Sequence, residues 1–236
     1  MTGPSRAVSP EWTEHVCDLL ARALPTTQPR TIRHLADRAR VRTIERGGEI
    51  HRQGDELPLT LVLSGFAAFR RTTVDGRELL LHVTERGDIF GCVSVASEPT
   101  TGDLIALTDT VVAVWPGPSA RRLVAADPGF ALDVIDRLAR TVVSATERLD
   151  GFLYQDARRR VLRALARHRE LFFAETPVLL RGHLASLVGT SRQMTGRVLR
   201  ELEREGMLVR TGRDGLRLLS PEALDAAVAG DEAEGA

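Results

Sequence analysis

The chain has no lysine and no asparagine, so its 32 cationic side chains other than histidine are all arginines. That uniformity reads as a coding bias towards GC-rich codons, and only the placement of arginine along the chain carries functional information. Cysteine is as scarce, with Cys17 and Cys92 alone, too few for a disulfide framework, a thiolate zinc finger or an iron–sulfur centre. No apolar run is long enough to span a bilayer, and the N-terminus MTGPSRAVSPEW lacks the apolar stretch of a signal peptide. A cytoplasmic protein with no membrane partner is expected. There is also no glycine-rich phosphate loop, no metal-ligand spacing and no local Ser, His and Asp signature, so neither an enzyme nor a metal site is expected.

With 236 residues and 43% hydrophobic content, the chain can bury a core and is long enough for two small domains. Its net charge is zero but unevenly spread. Between Ala157 and Leu219 there are 14 Arg against 6 acidic residues, a balance of +8, which leaves −8 for the remainder. A basic segment of that kind has the electrostatic footprint of phosphate contacts.

Residues 1–9 carry no pattern and are expected to be disordered. Ser9-Pro10 then starts a helix with apolar Val16, Leu19, Leu20 and Leu24, and a shorter helix is expected over Thr31 to Arg40. From Val41 to Val114 the period changes to two, in runs such as TLVLSGFAAFRRT, ELLLHV and LIALTDTVVAVW. Gly54, Gly65, Gly76 and Gly87 recur every eleven residues, the rhythm of a β-sandwich or roll, with Asp75-Gly76 the clearest hairpin turn. Asp127-Pro128 opens a long helix reaching about Gln155. Along it Ile135, Leu138, Val142, Ala145, Leu149 and Phe152 are spaced alternately by three and four, a heptad seam that suits a parallel dimer. Asp156 can cap the next helix, ARRRVLRALARHRELFFA, so a hinge is expected near Tyr154 to Asp156.

The stretch from His183 to Val209 gives the clearest functional signal. A short helix ends at Gly189, Ser191 offers an N-cap for a second helix to about Glu205, and Val198, Leu199 and Leu202 form its apolar stripe. Ala185 keeps the first helix small where the second crosses it. Gly206 closes the second helix, and Leu208–Thr211 and Leu216–Leu219 read as two strands around a glycine-flanked turn. This is a winged helix-turn-helix with an arginine-rich recognition helix. An acidic tail, GDEAEGA, follows. The domains expected are thus an N-terminal extension and helix (1–30), a roll (31–126), a dimerisation helix (127–155), the winged helix-turn-helix (156–220) and a C-terminal tail (221–236).

On Gly47-Gly48-Glu49, Gly54-Asp55, Leu63-Ser64-Gly65, Asp75-Gly76-Arg77-Glu78 and Gly87-Asp88-Ile89-Phe90-Gly91, with Ser191-Arg192-Gln193 and Gly196-Arg197, the chain resembles the catabolite-activator/FNR family of bacterial transcription regulators from about residue 31 to 220. The resemblance implies an α+β fold: a cyclic-nucleotide-binding-like β-roll (a double-stranded jelly roll), a long dimerisation helix and a winged helix-turn-helix. It also implies a homodimer on double-stranded DNA, with RNA polymerase as a further candidate partner. Arg192, Gln193, Met194 and Arg197 fall at base-reading positions, where an Arg guanidinium can bond guanine O6 and N7 together and Gln193 suits adenine. Arg181, Thr190, Ser191, Arg200, Arg210 and Arg213 are assigned to phosphates, together with Arg217 on the wing. Thr195 is expected to be buried and Met194 to be free to touch a thymine methyl.

The effector pocket departs from the family. Its cyclic-AMP-binding members place a Glu where Cys92 stands, and an Arg for the cyclic phosphate within the stretch Thr100-Thr101-Gly102-Asp103, which has no cation and whose Asp103 would repel an anion. Phe90, Gly91, Cys92, Thr101, Gly102, Asp103 and Thr146 therefore form a degenerate pocket. No cofactor is expected, and cyclic AMP is not the expected ligand. A roll acting as a sensor on a protein partner is the alternative; haem or thiol chemistry would draw on His82 or Cys92, which in a β-domain are more often packing residues.

Overall fold

The computed structural model describes residues 6–7, 10–76, 78–96 and 99–233; the expected cap Ser9, Arg77 of the hairpin motif and the last residues of the tail lie outside them. Arg6–Ala7 forms a short strand, β1, where disorder was expected. Helix α1 (Pro10–Ala23) follows, with Val16, Leu19, Leu20 and the succeeding Leu24 buried, as their spacing requires. Helix α2 (Pro29–Arg38) presents Ile32, Leu35 and Ala36 to the same core.

The roll contains β2 (Arg40–Ile44), β3 (Glu49–His51), β4 (Leu59–Ser64), β5 (Ala67–Thr72), β6 (Glu78–Thr84), β7 (Ile89–Phe90), a 3-10 turn (Cys92–Ala96), β8 (Asp103–Ala106) and β9 (Thr110–Trp115). These form one sheet ordered β1-β2-β9-β4-β7 and another ordered β3-β8-β5-β6. The period-two pattern sorts the side chains of β4 and β9 between two cores. Leu59, Leu61, Leu63, Ala113 and Trp115 pack with α1 and α2, while Val112 and Val114 point the other way, into the roll with Ile44, Ile50, Ala67, Leu104 and Ala106. Both central strands are thus buried on both faces, which is why they read as near-continuous apolar runs. Trp115 completes the outer core by donating from Nε1 to the Leu35 carbonyl at 2.8 Å.

Helix α3 (Gly117–Ala126) was not foreseen from the sequence; α4 (Pro128–Tyr154) follows it. Asp127 caps α4, its Oδ1 accepting from the Gly129 N–H at 2.9 Å. The buried Asp133 holds α4 to the loop after α1, accepting from the Thr27 N–H at 2.9 Å and the Thr26 and Thr27 hydroxyls at 2.8 and 2.6 Å. Arg137 adds bonds from Nη1 to the Ile89 carbonyl at 3.0 Å and from Nη2 to the Ala23 carbonyl at 3.1 Å.

The C-terminal elements are α5 (Ala157–Arg167), α6 (Arg169–Phe173), α7 (Arg181–Val188), α8 (Arg192–Arg204), β10 (Leu208–Thr211), β11 (Gly215–Leu218) and α9 (Pro221–Ala233). Asp156 caps α5 through the Arg159 N–H at 2.8 Å. The single helix expected after it breaks at His168, whose backbone leaves helical geometry (φ −111, ψ 31). The region read as a tail is helical through Ala233: Ser220 Oγ accepts from the Ala223 N–H at 3.3 Å, Leu224 is buried, and Asp225 pairs with Arg169. Composition suggested a solvated tail, but one buried leucine and an ion pair hold it to the domain. By their internal packing the residues fall into two units, one of residues up to Thr72 with Leu81–Ala145, the other of Thr73–Leu80 with Thr146 onward.

Candidate nucleic-acid interface and the roll interior

The helix-turn-helix begins with a backbone requirement. Gly189 adopts φ +60, the left-handed region, and a Cβ there would overlap the Phe152 ring, so both conformation and space select glycine. Ser191 Oγ then accepts from the Met194 N–H at 3.1 Å and starts α8. Thr195, Val198, Leu199 and Leu202 are buried, Thr195 satisfying its hydroxyl on the Ser191 carbonyl at 3.1 Å. The opposite face exposes Arg192, Gln193, Met194, Arg197 and Arg200. The expected division between buried Thr195 and exposed Met194 is therefore found.

Among the described residues Arg192, Arg197 and Arg200 make no ion pair. Other arginines assigned to phosphates are engaged within the protein. Arg210 donates from Nε to Glu203 at 2.9 Å and approaches it again through Nη2 at 2.6 Å, while its backbone N–H donates to the same carboxylate at 3.2 Å. Those contacts hold the Glu203 carboxyl below its usual range. Arg181 donates from Nη2 to the Arg213 carbonyl at 2.7 Å, and its N–H bonds the Asp214 carbonyl at 2.8 Å, tying the start of α7 to the wing turn. Arg213 and Arg217 are exposed, Thr190 is half-buried, and the Ser191 hydroxyl is occupied as a cap. Sequence reading missed the Glu203 clamp, since residues seven apart are brought together only by the turn from α8 into β10.

On α4, Ile135, Val142, Ala145, Leu149 and Phe152 are exposed, but Leu138 packs against the outer core of the first unit. Phe152 lies against Gly189 and beneath the Arg160 guanidinium, 5.7 Å from the ring centroid. The most continuous exposed line is instead Leu132, Ile135, Ala139, Val142, Thr146, Leu149 and Leu153. It has the same alternation of three and four, displaced at several positions from the expected seam.

The expected pocket residues lie on β7, the 3-10 turn, the segment leading into β8, β8 itself and α4. Cys92 is buried in the outer core, and burial pushes its thiol up. Phe90 packs on the roll interior, and Thr146 is exposed on α4. Gly91 has φ +84, and a Cβ on it would overlap the Pro58 carbonyl. Thr101 is exposed. Gly102 lies so close to β5 that an added Cβ would be 2.6 Å from the Arg70 carbonyl and 2.9 Å from Phe69 Cε1. Asp103 is not the bare repulsive charge expected: Arg70 pairs with it at 3.1 Å, and it accepts from the Gln53 N–H at 2.9 Å. The cross-strand register, Arg70 opposite Asp103, makes that pair.

A titratable group buried in the roll is His51, which sequence reading did not single out. It is buried, edge-on to Phe90, with Nε2 3.1 Å from Thr60 Oγ1; that hydroxyl donates to the Pro58 carbonyl, so the imidazole donates to it. Burial, reinforced by the charge of Arg42, lowers its pKa to about 4 and keeps it neutral. His82 is exposed on β6.

A β-roll, a long helix and a winged helix-turn-helix with an exposed, uncompensated arginine face make up the architecture of a DNA-binding transcription regulator. Residues 41–127 match the cyclic nucleotide-binding domain and residues 137–227 the Crp-like helix-turn-helix domain. The chain belongs to the Crp/Fnr family of transcription regulators. It is 32% identical over 169 residues to a cyclic AMP receptor protein of Thermus thermophilus, spanning 71% of this chain and 78% of that protein. It is 24% identical over 210 residues, 84% of this chain and 94% of the relative, to a CRP-like cAMP-activated global transcriptional regulator of Mycobacterium tuberculosis. In fold it is similar to FixK2 from Bradyrhizobium japonicum (TM-score 0.67, 21% identity, 80% of this chain and 96% of that one). A crp/fnr regulator from Eubacterium rectale gives TM-score 0.71 at 18% identity, over 84% and 93% of the two chains. Among the described residues no helix is long and apolar enough to cross a membrane.

Proposed function

We propose that the protein acts as a homodimer on an inverted-repeat DNA site, with α8 of each protomer in a major groove. The observation that carries this is the pairing of two exposed surfaces: the uncompensated Arg192, Arg197 and Arg200 on α8, and the apolar line from Leu132 to Leu153 on α4. A parallel contact along that line relates two readers by a two-fold axis, which is what half-sites one helical turn apart require. In this reading Arg192, Gln193, Met194 and Arg197 read bases. Thr190, Ser191, Arg200, Arg213 and Arg217 serve phosphates, and Arg181 positions the wing. Arg210 contributes less than its charge suggests, because Glu203 neutralises it. RNA polymerase is the further partner this reading implies.

Two relatives are named for cyclic AMP, yet the roll of this chain does not use that ligand in their manner. The family's phosphate-binding arginine has no counterpart between Thr100 and Asp103, there is no room for a side chain at Gly102, and Cys92 lies in the core. Selection of bound DNA from a random pool, with and without cyclic AMP, tests the whole reading. An inverted repeat with G in each half, unchanged by the nucleotide, is expected. Enrichment of an asymmetric site sinks the dimer, and saturable cyclic AMP binding at micromolar concentration in calorimetry sinks the claim about the roll.

A further inference from the structure

A cleft of about 700 Å³ opens in the first unit between α2, β2 and α3, away from the roll interior. Its apolar lining comes from Leu35, Ala39, Trp115 and Leu123, and Arg38, Arg40 and Arg122 stand around it. Among the described residues none of these arginines pairs with a carboxylate. Arg38 Nη1 lies 2.6 and 2.9 Å from the ring nitrogens of His34, Arg122 donates to Ser119 Oγ at 3.2 Å, and Arg40 makes no side-chain bond. The one acid of the lining, Asp37, is paired with Arg33 at 3.3 Å.

At the end of α2 two carbonyls are occupied, Leu35 by Trp115 Nε1 at 2.8 Å and Ala36 by the Ala39 N–H at 3.3 Å. The first turn of α3, from which Ser119 lines the cleft, has no acidic residue. Three cations of like charge in one concave site repel one another, and an anion placed among them relieves that repulsion and gains charge-assisted hydrogen bonds.

We infer that this cleft binds a small organic anion, its carboxylate or phosphate among Arg38, Arg40 and Arg122 and its apolar body over Leu123. A concave site with an apolar lining and a few placed polar groups is the usual form of a small-molecule site. It gives the sensor unit a ligand address that is separate from the roll and independent of how α8 reads DNA.

Calorimetry on the full-length protein, with phenyl phosphate and benzoate as probes and phenol as the neutral control, tests the assignment. Saturable binding of at least one anion, with no binding of phenol, is expected. Arg40→Ser with Arg122→Ser should weaken it about a hundredfold, roughly tenfold for each charge-assisted bond removed. Arg86→Ser with Arg140→Ser, exposed arginines outside the cleft, should leave it unchanged. These substitutions are all at exposed positions, and circular dichroism confirms that the fold is retained. Binding of both anions or of only one supports the cleft, and binding of only one also identifies the headgroup. No saturable binding of either anion, equal binding of phenol, or equal weakening in the two double variants overturns it.

Discussion

Replacing Arg197 by alanine separates base reading from general attraction to phosphate. The side chain is exposed on α8 and, among the described residues, holds no ion pair, so its loss should change folding stability by no more than about 0.5 kcal/mol. If its guanidinium makes a bidentate contact to guanine, each half-site loses about 1–3 kcal/mol of discrimination. A symmetric dimer loses this twice, about 2–6 kcal/mol, or roughly 30-fold to 20,000-fold in specific affinity. Nonspecific affinity should change only through one fewer cation near the backbone, with the slope of log K against log salt falling by about 0.9 for each phosphate no longer neutralised. Arg210→Ala is the natural comparison, because Glu203 already neutralises that arginine; it should cost far less on the specific site. Fluorescence anisotropy with a selected site and a scrambled duplex, each over a salt series, measures all of these. Equal losses for Arg197→Ala on both duplexes, or a loss no greater than that of Arg210→Ala, would refute the base-reading role.

Three further expectations can be checked separately. Gly189→Ala should destabilise the second unit by about 1–2 kcal/mol from the left-handed backbone alone, and by more from overlap with Phe152; urea denaturation should show that adding Phe152→Ala recovers only the second part. Leu149→Asp places a charge on the exposed apolar line of α4 and should give a monomer in sedimentation velocity, whereas an unchanged mass would remove α4 as the contact. His51 has a folded pKa below its unfolded value, so the unfolded chain binds more protons between pH 6.5 and about 4. Stability is therefore lost as pH falls through that window, by roughly 3 kcal/mol at most, and His51→Phe should flatten this part of the profile.

Much of the architecture can be read along the chain because it rests on local rules. The eleven-residue recurrence of glycines marks turns, and Gly54, Gly65, Gly76 and Gly87 all adopt positive φ. Ser191, Asp127 and Asp156 cap the helices their positions announce. On α8 the division into a buried stripe and an arginine face follows from the 3.6-residue period alone.

Residues within a few positions of one another thus determined the main elements, their order and the polar face of the reader, though not α3, the break at His168 or the helix α9. Which stripe of an element faces which neighbour is set by contacts between distant parts of the chain. The α4 pattern fits a line through Leu138 and Phe152 as well as one through Leu132, Ala139 and Leu153; packing assigns Leu138 to the core and Phe152 to the turn at Gly189. The same holds for charge. Arg210 and Arg197 are alike in sequence, but the turn into β10 sets Glu203 against the first, and among the described residues no acid reaches the second. Periodicity records that a helix has an apolar stripe, while the partner of that stripe depends on where distant parts of the chain come to rest.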